Sequence, residues 1–246
     1  MDAFEFGIAA LALAAGGILK GGIGAGAPLL AVPLLAILYN VPVAVAIFAM
    51  PNLFSNAWQA WQYRAHIVSH KMGWRLSLGG ALGALVGSVL LAKLPSDALL
   101  AGLGGVVFLY IAMRLARPDW GLSRAQGERY SALAGVSAGI MQGAGGISAP
   151  VSITFLHAMR LERLEFIATI SVFFAAMALT QIPALVWFDI LTVKLTLWSC
   201  LAAVPLFGAM PLGAWLGNRI NRAVFDKVIL WLLAAIAVKL FYDAIF

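Results

Sequence analysis

The stretch Gly21-Gly22-Ile23-Gly24-Ala25-Gly26-Ala27-Pro28 returns in altered form as Gly143-Ala144-Gly145-Gly146-Ile147-Ser148-Ala149-Pro150, 122 positions later, and each copy interrupts a long apolar run. Glycine uncovers the backbone and widens its allowed dihedrals, so such a run breaks a helix and exposes peptide N–H groups. Proline suits the first position of the helix that follows, where its missing N–H costs nothing. The expected unit is therefore an apolar half-helix, a glycine break and a second half-helix whose positive end faces the break. It occurs once in each half of the chain, and two such ends facing one another attract an anion.

The surrounding solvent follows from how much apolar surface must be covered. Of 246 residues, 63% are hydrophobic and 11% charged, with mean hydropathy +0.98, more than one soluble core can hide. Several runs reach the roughly 20 apolar residues that cross a hydrocarbon layer. The predicted fold class is an all-α polytopic membrane protein. Its spans are 4–20 with 28–39 as a broken pair, then 42–62, 73–92 and 97–116, a second broken pair at 130–142 with 150–158, then 165–187, 195–217 and 224–245. The first run begins with Asp2 and Glu5 where a signal peptide needs basic residues, so it is read as mature structure.

The two halves share one pattern. At an offset of 122, Gly17, Gly21, Gly24, Ala27, Pro28 and Gln59 fall on Gly139, Gly143, Gly146, Ala149, Pro150 and Gln181, and at an offset near 130 Gly83 and Gly87 fall on Gly213 and Gly217. This is an internal duplication, with residues 1–126 and 127–246 as the two repeats of one membrane domain. Gly79, Gly83 and Gly87, like Ala209, Gly213 and Gly217, recur every fourth residue and predict close helix packing.

Lysine and arginine decide the orientation of the halves. If each broken pair turns back as a hairpin, one side holds Arg64, Lys71, Arg75, Arg114, Arg117, Arg124, Arg129, Arg160, Arg163, Arg219, Arg222 and Lys227, twelve in all, against Lys93, Lys194 and Lys239 on the other. If each pair crosses once, the split is nine to six. The first split obeys the positive-inside rule far better. It predicts inverted repeats, each a broken helical hairpin followed by three transmembrane helices, with both termini outside. That is a transporter architecture.

The helix 42–62 carries Asn52, Ser55, Asn56 and Gln59 on one face, just after Pro51. A polar stripe is costly against lipid, so it faces a neighbouring helix or a ligand path. Its repeat partner offers Thr180 and Gln181 before Pro183, which makes the site asymmetric. Lys20 immediately precedes the first break, with neutral Gln142 as its counterpart. A lysine at that depth either draws an anion or caps the carbonyls that end the half-helix. No carboxylate falls at mid-membrane, which disfavours carboxylate-based proton relays and sodium sites and leaves the substrate itself, Lys20 or His157 for any proton coupling.

Other classes are weaker. The formal charge of +6 is scattered between apolar spans and forms no stripe for nucleic acid. Cys200, the single cysteine, excludes an internal disulfide or cysteine metal cluster and is read as packing. Gly135-Val136-Ser137-Ala138-Gly139 matches the spacing of a serine-hydrolase elbow, but it sits in a helical run without a mid-membrane His/Asp pair. No nucleotide-binding motif, cofactor motif or metal site is read.

The paired glycine-proline breaks, Gly21 to Pro28 and Gly143 to Pro150, resemble those of the TauE/SafE family of bacterial membrane transporters, the sulfite exporter family, over residues 4–246. The resemblance carries the family's glycines and prolines onto Gly21, Gly24, Pro28, Gly143, Gly146 and Pro150. It implies export of sulfite or an organosulfonate across the bacterial inner membrane, with a small anion and membrane lipid as the partners. In the resulting reading, Lys20, Gly21, Gly24, Gly26, Ala27, Asn52, Asn56 and Gln59 bind the anion together with Gly143, Gly146, Ser148 and Gln181 of the second half. Rocking of the two halves alternates access. An anion channel lined by the same residues is the rival, and an enzyme is the third reading.

Overall fold

The computed structural model of the chain describes residues 3–67, 70–116, 121–219 and 222–245; Asp2 and Arg117 lie outside them. The described residues form ten α-helices and no strand: α1 (Ala3–Ile23), α2 (Ala27–Leu38), α3 (Val41–Gln62), α4 (His70–Lys93), α5 (Ser96–Ala116), α6 (Arg124–Gly145), α7 (Ala149–Ala158), α8 (Arg163–Trp187), α9 (Val193–Arg219) and α10 (Arg222–Ile245), with a 3₁₀ turn at Arg64–His66. Helices α3, α4, α5, α8 and α9 are each long and apolar enough to cross a membrane. With no water to receive backbone hydrogen bonds, helices are what such apolar runs can form.

Starts are set locally. Asn40 Oδ1 accepts from the Val43 N–H at 2.9 Å and opens α3, while Ser123 with Gln126 and Glu162 with Glu165 form capping boxes that open α6 and α8.

Both broken pairs turn back. A methyl on Gly16 of α1 would stand 2.9 Å from the Ala27 carbonyl oxygen and 3.1 Å from Ala31 Cβ, so α2 lies back along α1. In the second pair the Leu122 N–H donates to the Ala158 carbonyl at 2.8 Å, which returns the end of α7 to the start of α6. The breaks themselves are shorter than the glycine runs suggest. Helix α1 continues through Gly21, Gly22 and Ile23, leaving residues 24–26 as the turn, and α6 continues through Gly145, leaving residues 146–148. Gly26 (φ 93°) and Gly146 (φ 71°) occupy left-handed backbone that side chains rarely adopt, so the reversal needs glycine there.

The halves exchange partners. Helix α1 packs on α9, and its counterpart α6 packs on α4. Methyls added at Gly17 and Gly21 would meet the Leu206 and Met210 carbonyls, and methyls at the repeat positions Gly139 and Gly143 would meet the Gly80 and Ala84 carbonyls. Gly213 stands against the Ile18 carbonyl as Gly87 stands against that of Ile140. One side of each contact steps by 122 residues and the other by 126 (80 to 206, 84 to 210, 87 to 213). The offset near 130 is thereby corrected by one helical turn. Small residues spaced by four look alike after such a slip, and only the packing fixes the register. The partner of Gly79, Gly83 and Gly87 advances from Ala132 to Val136 to Ile140, so α4 and α6 run parallel.

The polar stripe of α3 faces inward: Asn52, Ser55, Asn56 and Gln59 are buried, whereas Phe54, Trp58 and Trp61 on the same helix are exposed. Cys200 is exposed on α9 and not packed as its sequence setting suggested.

Pro51 removes the N–H that would bond the Ile47 carbonyl four residues back. The Ser199 hydroxyl, from α9, donates to that carbonyl at 2.9 Å and accepts from the Met50 N–H at 2.9 Å. One buried hydroxyl thus repairs the proline defect from another helix. Ser199→Ala takes the hydroxyl donor from the Ile47 carbonyl, and the expected loss of stability is about 1–3 kcal/mol, read as a lower unfolding midpoint.

Candidate functional site

At the first break, Lys20 lies in the last turn of α1 with 2% of its surface exposed. Its ammonium donates to Asn56 Oδ1 at 2.7 Å, and Asn56 Nδ2 donates to the Asn52 carbonyl and to Asn52 Oδ1, each at 2.8 Å. The α3 stripe therefore holds the lysine in place through its own helix. Lys20 is the one charged side chain among the described buried residues, and no carboxylate pairs with it among them.

At the second break, the Ser148 hydroxyl donates to Gln142 Oε1 at 3.3 Å and lies 3.5 Å from the Ser152 hydroxyl, which donates to the Ser148 carbonyl at 2.9 Å. Gln181 Nε2, from α8, reaches the Gln142 and Gly143 carbonyls at 3.2 and 3.4 Å. Its amide is taken up in capping the end of α6. Gln59 plays a different part from its repeat counterpart, accepting from the Ser171 hydroxyl of α8 at 3.3 Å. That bond ties α3 to α8 across the two halves.

Each break is covered by the opposite half at matching positions. A methyl on Gly24 would run into Ile167 of α8, and one on Gly146 would stand 3.2 Å from Val45 of α3, where 167 and 45 differ by the repeat offset of 122.

Donors outnumber acceptors. Among the described residues, Asn52 Nδ2, Gln59 Nε2 and Gln142 Nε2 donate to nothing, and Lys20 uses one N–H of three. Their residues are at most 5% exposed. At the breaks, the N–H groups of Ala25, Gly26 and Ala27, and of Ile147, Ser148 and Ala149, find no acceptor among the described residues either. Neither Gly26 nor Ser148 supplies a side-chain cap to the helix it opens. The open amide nitrogens are not among the fully buried atoms left without a partner, so each keeps some accessible surface, and open donors so placed suit an anion.

The twelve residues read from the sequence thus divide. Lys20, Asn52 and Asn56 form one connected group beside the first break, with Gln59 one turn further along α3. Ser148 and Gln181 both contact Gln142 at the second break. Gly24, Gly26 and Gly146 make the turns and Ala27 opens α2, but Gly21 and Gly143 lie inside helices and serve packing. Ser152, Ser171 and Ser199 were missed, since a lone hydroxyl in an apolar run carries no pattern. His157 is exposed at the end of α7, its ring edge-on to Phe166 at 5.1 Å. Ser137 lies in mid-α6, not on a strand-to-helix turn.

Fold and site together define a polytopic helical membrane protein in which two folded-back helix pairs bring buried hydrogen-bond donors to their breaks. A model of the sulfite exporter TauE/SafE family matches residues 8–240. The chain belongs to that family, one of membrane transporters and not of enzymes. No curated protein and no solved structure gives a significant match.

Proposed function

We propose that the protein is a secondary transporter that exports a small anion, with sulfite or an organosulfonate as the favoured substrate, across a bacterial inner membrane. The observation that carries this reading is Lys20, buried at a helix break, hydrogen-bonded to Asn56 and without a carboxylate partner among the described residues. An uncompensated buried charge costs several kcal/mol, a cost that an anion offsets. Lys20, Asn52 and Gln59 supply charge-assisted and neutral hydrogen bonds to its oxygens, with the Ala27 N–H at the positive end of α2.

Alternating access follows from inverted halves rocking about the α3–α8 contact. Inversion is supported by the chain path. Helix α2 doubles back on α1, a two-residue link joins α2 to α3 and a short connection joins α3 to α4, and reversal at each of these steps sets α4 opposite to α1; α6 runs parallel to α4. Arg64, Arg129 and Arg219 lie over the rings of Trp61, Tyr130 and Trp215, at 5.0, 5.8 and 4.7 Å, all at ends assigned to the cytoplasm. Cysteines placed in the loops at 64, 160 and 219 are expected to label from the cytoplasmic side only. Labelling at 219 from outside would sink the inverted arrangement. Substrate class is tested by uptake into proteoliposomes of sulfite, sulfate, sulfoacetate, taurine and chloride, with sulfite or sulfoacetate expected to be preferred; chloride preferred over both would reject the assignment.

A further inference from the structure

We infer that the Gln59–Ser171 hydrogen bond is a one-sided latch, which biases the empty protein toward the state closed where α3 ends at Gln62 and α8 begins at Arg163. As a gate for substrate this rests on the transporter reading; as a bias between two shapes of the fold it does not. The halves cover one another by a single exchange rule. Gly24 against Ile167 becomes Gly146 against Val45 when 122 is added to the first residue and taken from the second. The same rule turns Gln59 against Ser171 into Gln181 against Ala49. Ala49 and Gln59 are ten residues apart on α3, roughly 15 Å of helix, so the two pairs belong to opposite ends of the α3–α8 contact. Inverted halves that rock about that contact open one end as they close the other.

The two ends are chemically unequal. At one, the Ser171 hydroxyl donates to Gln59 Oε1 at 3.3 Å, and both residues are buried. At the other, the buried Ala49 brings a methyl where the repeat has a hydroxyl. Gln181 turns its Nε2 to the Gln142 and Gly143 carbonyls, and its Oε1 accepts nothing among the described residues. Both ends therefore have the glutamine acceptor, and one has the donor. A bond that is broken when one end opens favours the state that keeps it, and the net worth of one intramolecular hydrogen bond shifts such an equilibrium about two- to tenfold.

The test is the distance between spin labels at each end of the contact, measured on the purified full chain in nanodiscs without any sulfur oxyanion. Labels go on cysteines in a Cys200→Ala background, at His66 with Leu164 for the latched end and at Val43 with Trp187 for the other; His66, Leu164 and Trp187 are exposed and Val43 is half-buried. Ser171→Ala is expected to raise the ratio of long to short distances at the first pair about two- to tenfold and to lower it at the second. Ala49→Ser, which supplies the missing donor opposite Gln181 Oε1, is expected to move both pairs in the same directions, and it decides the matter if Ser171→Ala does not fold. Ratios unchanged at both pairs in the deciding variant, or shifted in the same sense at both, would overturn the latch, since a bond that only stabilises the fold lowers the unfolding midpoint and leaves the ratios alone. Opposed shifts in a protein that moves no sulfur oxyanion would instead reject the transporter reading and leave the latch standing.

Discussion

Lys20→Gln is expected to weaken binding of a small sulfur oxyanion about tenfold to a hundredfold while folded protein is recovered near the wild-type yield. The glutamine copies the residue at the repeat position, Gln142, and still donates to Asn56 Oδ1, which now accepts from Lys20 at 2.7 Å. What it removes is the formal charge. A hydrogen bond to a charged group is worth about 1.5–3 kcal/mol, which sets the size of the affinity loss. Stability moves the other way or not at all, because a buried ammonium without a carboxylate partner is itself a cost to the empty protein. If Lys20 only caps the carbonyls that end α1, the pattern inverts, with a lower midpoint and unchanged affinity. Isothermal binding and thermal unfolding on one preparation separate the two.

Gly83→Val is expected to abolish folded protein, whereas Gly105→Ala is expected to be neutral or stabilising by up to about 1 kcal/mol. A side chain on Gly83 would drive into the Val136 carbonyl and stand 2.9 Å from the Ile140 N and 3.0 Å from the Gly139 Cα. These are backbone atoms of α6, so no rotamer change relieves the contact, and the helices must separate along their whole interface. Overpacking in a core costs about 1–3 kcal/mol even where side chains can adjust, and here they cannot. At Gly105 an added methyl meets nothing within 4 Å. Fluorescence-detected size exclusion with a thermal ramp reads both variants. Equal midpoints for the two would show that the α4–α6 contact does not hold the halves together.

Much of this was legible because lipid permits so few backbone arrangements. The spans, the folded-back pairs and the inward stripe on α3 all follow from where apolar runs end and polar groups cannot face hydrocarbon. The glycine runs misled in detail because one motif carries two jobs. Gly21 and Gly143 let α1 and α6 approach Met210 and Ala84, inside intact helices, while Gly26 and Gly146 adopt the positive φ that turns the chain. Sequence cannot separate a glycine kept for closeness from one kept for conformation. The site was legible where residues formed a pattern, as with Lys20 against its neutral repeat partner and the stripe from Asn52 to Gln59. It was not legible in the long-range hydroxyls. Ser199 repairs the Pro51 defect from 148 residues away, and Ser171 joins Gln59 across 112. Each looks in sequence like any small residue in a membrane helix.

Counterflow in proteoliposomes tests the central claim most directly. Vesicles loaded with unlabelled sulfite and diluted into a trace of labelled sulfite are expected to accumulate label transiently above its equilibrium level, because an alternating site returns loaded from the other side. Lys20→Gln is expected to reduce that overshoot at limiting sulfite. A flux of label that unlabelled sulfite on the far side does not accelerate would contradict alternating access and identify a channel.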